Sequence, residues 1–464
     1  MGFANGQNID TSQCKNENSW RQWQSSLIEF LPLLSFGLHT GWATSPYSDD
    51  LPTPPHLAPW IDTVAYLAAA FSCAPYSFLN AKFGPKNTAV CVSLPQLSSW
   101  ILLLLFPNDI ALLLLSRILS GIGAGGGLII IPIYLNEICK KSRRGLVVTF
   151  GILFCGLGYL MVHIIGQFLS YDIALYVVLS IPVVHVILSW FVIESPCFLV
   201  KRGRFEEAAQ SVARLTGLEV DDERVTCEIN RLKAESSEVK VEGNYVIGLI
   251  KNQVYRNGMK IGLVLQTVRT LGGSQVIVEQ AWKVYVRSSV PLHNHIQTMA
   301  LPAILVVAGL ISALLVEKCG RKILLTVSAC LTTFSLGILG VFMQTDLTVT
   351  SLNWLPLTAL VLATIGYGLG FFAVPYTVIV EVVNFEVRST ILAITYIYTW
   401  LLVFVQAYTF AAIEKYIGLD AIIYIYAVVN IYGAVYSLFA IPETTNKGIG
   451  YIEKQLKRIP LLKF

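Results

Sequence analysis

The chain has 464 residues, 55% of them hydrophobic and 13% charged, with a mean hydropathy of +0.63 and a formal net charge of +4. Soluble domains carry about 25% charged residues, so this deficit excludes an ordinary water-soluble globule and leaves a polytopic membrane protein. The small positive excess reflects where Lys and Arg are placed and gives no sign of a nucleic-acid partner.

A spanning helix needs about 20 apolar residues. Twelve such stretches start near Ser25, Trp60, Thr88, Ile110, Leu146, Ile173, Met259, Ile296, Leu324, Leu357, Ile391 and Ala421. The expected class is all-α and polytopic, with twelve transmembrane helices in two six-helix halves and both termini cytosolic. The expected divisions are a cytosolic tail (1–24), an N-terminal bundle (25–194), a cytosolic insert (195–257), a C-terminal bundle (258–441) and a cytosolic tail (442–464). No cleavable signal peptide is expected, because the polar segment 1–24 precedes the first span without a small-residue cleavage site. In this topology 28 of the 33 Lys and Arg are cytosolic; Lys283, Arg287 and Lys415 lie outside and Arg117 and Arg269 within spans. That asymmetry fixes the orientation.

Along the chain, the first span carries "FGLHTG" (36–41), with His39 and Thr40 inside an apolar helix. The following loop, "SPYSDDLPTPPHLAP" (45–59), has no basic residue. Gly121, Gly123, Gly125 and Gly126 in the fourth span do not form a phosphate loop; small residues in a span let helices approach closely. The fourth span ends in "PIYLNEICKKSRRG" (132–145), and the sixth is followed by "IESP" (193–196). Next, the segment 201–240 is highly charged, with apolar residues at helical spacing, and reads as short amphipathic helices in water.

The seventh span holds the costliest residue. Arg269 lies ten residues in from Met259, about 15 Å at 1.5 Å per residue, and so near the midplane. Facing lipid it costs at least about 2.5–3.5 kcal/mol, so it faces a wet cavity or an acidic partner. Gly272 and Gly273 weaken the helix just beyond it.

The second half then echoes the first. "VEKCGRKIL" (316–324) matches "NAKFGPKNT" (80–88), "PYTVIVEVVNFEVRS" (375–389) matches 132–145, and "IPET" (441–444) matches "IESP". Glu137 and Arg144 recur as Glu381 and Arg388 at an offset of 244 residues. Parallel repeats of this kind mark one architecture of secondary transporters, with the site near the midplane between the halves. Glu137, Arg144, Glu194, Glu317, Arg321, Glu381, Arg388 and Glu443 all fall at cytosolic helix ends in this topology. Either they form an ionic gate between the halves, the reading favoured by the matched spacing, or they are ordinary anchors and loop charges.

These motifs resemble the sugar porters of the major facilitator superfamily, in the style of insect trehalose and hexose facilitators. The resemblance covers about Ser25 to Lys447, carried by "SRILSGIGAGG" (116–126), residues 132–145, "ESPCFLVKRGRFEEA" (194–208), "EKCGRK" (317–322), Glu381…Arg388 and "PETTNKG" (442–448). It implies a facilitative transporter of a sugar-like solute working by alternating access. One motif departs: the acidic residue and one arginine of the family's first-half loop are replaced in Ala81–Lys86.

The resemblance also implies where solute binds. The amides of the family's seventh span align with Arg269, Thr270 and Gln275; the fifth-span glutamine becomes Ile152 and the polar residue of the eighth Leu305. The tenth span brings Tyr376, and the eleventh Thr399 with its Trp400. His39 stands where coupled members carry Asp and facilitators Asn, and with Thr40 completes the candidate set. The exchange of amides for Arg, Thr and Ile leaves three readings: a retuned sugar site, an anion held by Arg269, or a sensor or scaffold with little flux. A fourth reading makes Arg269 the structural partner of a nearby carboxylate.

His163 and His185 read as packing residues, and His293 and His295 as too few for zinc. None of the nine cysteines falls in an outer loop, so no disulfide framework is expected. No nucleotide site, catalytic triad, metal cluster or cofactor motif is visible, so an enzyme is not expected. Without a retention signal, the expected location is the plasma membrane, and the expected partners are the bilayer and one small solute.

Overall fold

The computed structural model describes residues 20–42, 57–237, 252–273, 294–344 and 354–459; Gln275 lies outside the described residues. They form an all-α membrane fold with no strand among them. The first six membrane-length helices are α1 (Trp20–Trp42), α2 (Ala58–Phe83), α3 (Pro85–Leu105), α4 (Ile110–Ile138), α5 (Arg144–Phe168) and α6 (Tyr171–Leu188). Three short helices follow: α7 (Pro196–Lys201), α8 (Phe205–Thr216) and α9 (Glu223–Ser237).

The second set is α10 (Gln253–Leu271), α11 (Asn294–Cys319), α12 (Arg321–Gln344), the pair α13 (Leu355–Leu369) and α14 (Val374–Val382), α15 (Phe385–Ile417) and α16 (Leu419–Ala440). A short α17 (Ile449–Arg458) ends the described chain. Nine helical segments are long and apolar enough to cross a membrane by length and composition alone, counting α13–α14 as one, among the described residues. The helices α1, α2 and α10 are of similar length.

The packing repeats. In the first half α2 packs on α4, α1 on α5, and α3 on both α4 and α6. In the second, α11 packs on α13, α10 on α15, and α12 on both α13 and α16. The seam between the halves repeats too: α2 lies against α15 and α5 against α11. Small residues allow the close crossings, since a Cβ on Gly121 would meet the Ala65 carbonyl at 2.1 Å and one on Gly158 the Leu34 carbonyl at 2.1 Å.

The helix starts have local causes. The carboxylate of Asp109 and the side-chain oxygens of Ser195, Asn252 and Asn384 accept from the first free N–H groups of α4, α7, α10 and α15. Between α13 and α14 the chain unwinds over Gly370–Ala373. The Ser328 hydroxyl donates to the Gly366 carbonyl at 2.7 Å and accepts from the Phe371 N–H at 3.3 Å. One neighbouring hydroxyl thereby serves backbone groups that the broken helix leaves free. The helix carrying Arg269 starts at Gln253 rather than near Met259 and ends at Leu271, so the arginine stands in its last turn.

Candidate functional site

Between the two halves lies a cavity of about 800 Å³, measured with its open mouth. Its first-half wall is Phe36 and Thr40 of α1, Tyr66 of α2, and Cys155 and Tyr159 of α5. The second-half wall is Arg269 of α10, Leu305 of α11, and Tyr367, Phe372 and Tyr376 around the break between α13 and α14. Thr399 and Trp400 of α15 complete it. The unwound turn is what brings Phe372 and Tyr376 there.

Aromatic contacts bridge the halves along this cavity. Trp400 stacks on Tyr66, with centroids 5.9 Å apart and planes 16° from parallel, and meets Phe36 edge-on at 5.8 Å. The Arg269 guanidinium lies 5.2 Å from the Tyr376 ring centroid, and that ring stacks on Tyr396 at 5.8 Å. No carboxylate pairs with Arg269 among the described residues, and its Nε has no hydrogen-bond partner there. The structural carboxylate foreseen as one alternative is therefore not found among them.

Arg269, Thr40, Tyr376, Thr399 and Trp400 are thus brought together, and the side chains of Thr270 and His39 are not. Thr270 is buried away from the cavity, its carbonyl accepting from Gln406 Nε2 at 3.1 Å. His39 lines a smaller pocket beside the main one, with Arg117, Tyr66 and Trp400. Its Nδ1 donates to the Ser35 carbonyl at 2.8 Å, which fixes the tautomer, and its ring packs on Trp100 at 4.0 Å. Arg117 donates to the His39 carbonyl at 3.0 Å.

The sequence reading missed the tyrosines Tyr66, Tyr159 and Tyr367, because aromatics at helical spacing look the same in a core and in a cavity wall. It also missed a buried cluster. His185 Nδ1 lies 2.7 Å from the Ser93 hydroxyl and its Nε2 3.7 Å from Glu29, with both ionisable side chains fully buried.

A second constellation bridges the halves at the face bearing α7–α9. Arg388 donates across the halves to Glu137 at 3.4 Å, and within its own half to the Val383 carbonyl at 3.2 and 3.3 Å. Glu137 also accepts from the Ser195 hydroxyl. Arg321, fully buried, donates to Glu317 at 2.9 Å and Glu381 at 2.7 Å. Glu317 in turn crosses the seam to accept the Leu146 N–H at 3.2 Å. The Ser77 and Ser389 hydroxyls, 2.7 Å apart, and Thr149 and Thr377, 3.2 Å apart, add neutral bridges.

The two Glu–Arg pairs read from spacing are not themselves paired. Arg144 Nε donates to the Cys139 carbonyl at 3.1 Å, and no carboxylate lies within ion-pair distance of it among the described residues. The reason is geometric: each helix ends between its Glu and its Arg, at Cys139 and Val383, so seven residues do not place them on one face.

The two halves differ here. Gly84 and Gly320, both with φ near +85°, turn the chain beside Glu194 and Glu443; an added Cβ would stand 2.8 and 2.4 Å from those carboxylates. Glu443 accepts the N–H groups of Arg321 and Lys322, each at 3.2 Å. Burial pushes its carboxyl up, but the Thr445 hydroxyl and N–H and the two helix N–H groups outweigh that and hold it below the usual range. Among the described residues, Glu194 accepts the Lys86 N–H at 3.4 Å and that of Ser195 at 3.0 Å. Pro85 stands where Arg321 stands in the other half, and burial pushes the Glu194 carboxyl up to about 7.

Comparison with known proteins agrees with this geometry. A family model described as "Sugar (and other) transporter" matches residues 17–456. The facilitated trehalose transporter Tret1 of Drosophila virilis is 25% identical over 409 residues, 87% of this chain and 44% of the relative. That of Apis mellifera ligustica is 23% identical over 407 residues, 86% and 79% of the two chains. The chain thus spans less than half the length of the Drosophila relatives it matches. Among solved structures, the proton:xylose symporter XylE bound to 6-bromo-6-deoxy-D-glucose superposes with a TM-score of 0.81 at 18% identity, covering 95% of this chain and 100% of that one. The inward-open form of E. coli XylE gives 0.66 at 18%, covering 94% and 99%. The fold is that of the major facilitator superfamily.

Proposed function

The chain belongs to the sugar (and other) transporter family, and on that premise we propose that it carries a sugar or sugar-derived small solute across a membrane by facilitated, alternating access. One observation supports this most: a cavity between two repeated half-bundles is sealed at one face by a buried ion pair, Arg388–Glu137, that crosses between them. A seal that joins the halves has to break for the cavity to open on that side, so it biases a two-state equilibrium. In this reading the face bearing α7–α9 is cytosolic and both termini lie there. Glu137, Arg144, Glu317, Arg321, Glu381 and Arg388 form the inner gate, with Glu194 and Glu443 holding the turns behind it.

Arg269, Tyr376, Thr399, Trp400 and Thr40 line the solute path, and His39 supports it from the adjoining pocket. The location that follows is the plasma membrane. The test is counterflow in proteoliposomes holding the purified protein. Saturable exchange that is lost in Arg388→Gln supports transport. Binding without exchange, in a protein that stays folded, would make it a sensor or scaffold instead.

A further inference from the structure

We infer that the transported solute carries a carboxylate on a ring-sized body, and that Arg269 is its counter-charge; this rests on the transport reading above. The argument begins with the hydrogen-bonding groups the cavity offers. A neutral sugar presents several hydroxyls, each of which donates as well as accepts, and it needs acceptors to receive those protons. No Asn, Gln, Asp or Glu lines the cavity among the described residues. The acceptors that the described wall offers are hydroxyl oxygens: Thr399, whose proton goes to the Thr395 carbonyl at 2.8 Å, Thr40, whose proton goes to the Phe36 carbonyl at 3.0 Å, and the tyrosines. The groups with N–H bonds to spare are the Arg269 guanidinium, whose Nε has no partner among the described residues, and the Trp400 indole N–H, which has none there either.

The charge balance points the same way. Arg269 is surrounded by Tyr367, Tyr376, Tyr396 and Cys155, none of which is an acid at neutral pH in its ordinary state. The Tyr376 ring face and the C-terminal end of α10, where Arg269 occupies the last turn, each offer partial negative charge. Neither supplies a full unit. A guanidinium in the wall of a cavity inside the helix bundle keeps a remaining demand for an anion, and the cavity is the open side from which one can come.

The remaining walls fix the body of the solute. Phe36, Tyr66, Phe372 and Trp400 line the cavity with aromatic surface from both halves, which suits the apolar face of a ring-shaped solute. A sugar acid and an aliphatic ring acid share this chemistry.

The test measures dissociation constants on the purified full chain for two matched pairs: glucuronate against glucose, and cyclohexanecarboxylate against cyclohexylmethanol. In at least one pair the acid is expected to bind at least tenfold more tightly than its neutral partner. Arg269→Gln removes that preference, Arg269→Lys keeps most of it, and which pair responds separates the sugar acid from the apolar acid. The unliganded Arg269→Gln protein melts at the wild-type temperature or above, because it loses an uncompensated buried charge. Glucose exchange that Arg269→Gln leaves intact, with no preference for the acid, overturns this inference and leaves transport standing. Acid binding that survives in Arg269→Gln, or a loss of several degrees in its melting temperature, overturns it in favour of a structural arginine. Absence of binding and of exchange for all four compounds sinks both readings.

Discussion

Replacing Arg388 by glutamine tests the inner gate most directly. The side chain makes three hydrogen bonds, and two of them, to the Val383 carbonyl, stay within its own half in either conformation. Among the described residues, the bond to Glu137 is the one that crosses the seam, so it distinguishes the closed face from the open one. Breaking a buried pair by removing one partner costs about 3–5 kcal/mol. At 3.4 Å this contact is long, and Glu137 keeps the Ser195 hydroxyl, so the lower share, about 1–3 kcal/mol, is expected to appear in the equilibrium. That shift is roughly 5–150-fold in the fraction of molecules open at this face.

The protein carries its own reporter. Cys197 is 5% exposed and lines the pocket between Glu137 and Arg388, and burial pushes its thiol up, so it reacts with maleimide only when the face opens. Cys227 and Cys319 are exposed and serve as internal standards. The labelling rate of Cys197 relative to the standards is expected to rise at least fivefold in Arg388→Gln. Glu137→Gln added to it is expected to change little more, because the pair is already broken. A rate within twofold of wild type, or two effects that simply add, would refute the gate.

Three more outcomes follow from the same face. Gly145→Ala places a methyl 2.1 Å from Arg321 Nη2 and 2.7 Å from Glu317 Oε1, across the seam, so it is expected to hold the face open and raise Cys197 labelling. A wild-type labelling rate would show that the side chains yield. Arg321→Met leaves Glu317 and Glu381 without their shared cation and is expected to lower stability by about 3–5 kcal/mol in a denaturation series, more than Arg388→Gln does.

Glu194 gives a pH dependence: its folded-state value of about 7 lies above the ordinary 4.5, so its contribution to stability is full below about 4.5 and lost as pH rises through about 7. Between pH 5 and 8 the melting temperature is expected to fall, by at most about 3 kcal/mol of stability, and Glu194→Gln is expected to flatten that slope. An unchanged slope in the variant would assign it elsewhere.

The sequence shows the path of the chain better than the identity of its contacts. Apolar length and the 244-residue echo of Glu137 and Arg144 mark the two-bundle plan, because hydropathy and repetition are properties of the chain itself. The partners are not legible. Arg388 reaches a carboxylate 251 residues away, and Glu381 is held by Arg321, because helix breaks separate each Glu from the Arg that follows it.

Within the site, Arg269 is legible from the cost of a charge inside an apolar span. Its neighbour Thr270 was placed beside it by alignment, yet one residue turns about 100° on a helix and leaves the cavity. The tyrosines of the wall carry no signal of their own, and the burial of Glu29 against His185 depends on how three helices cross.

The unequal turns at Gly84 and Gly320 bear on mechanics. Both halves trace one path, but only the second is knitted by a guanidinium to Glu317, Glu381 and the Val316 carbonyl at once. Amide protons at the start of α12 are therefore expected to exchange with solvent more slowly than those at the start of α3, where Pro85 contributes no such tie. The fold therefore has one stiff half and one compliant half. If the protein works by alternating access as proposed, its rocking motion would be borne mainly by the ends of α2 and α3, with the second half as the stationary frame.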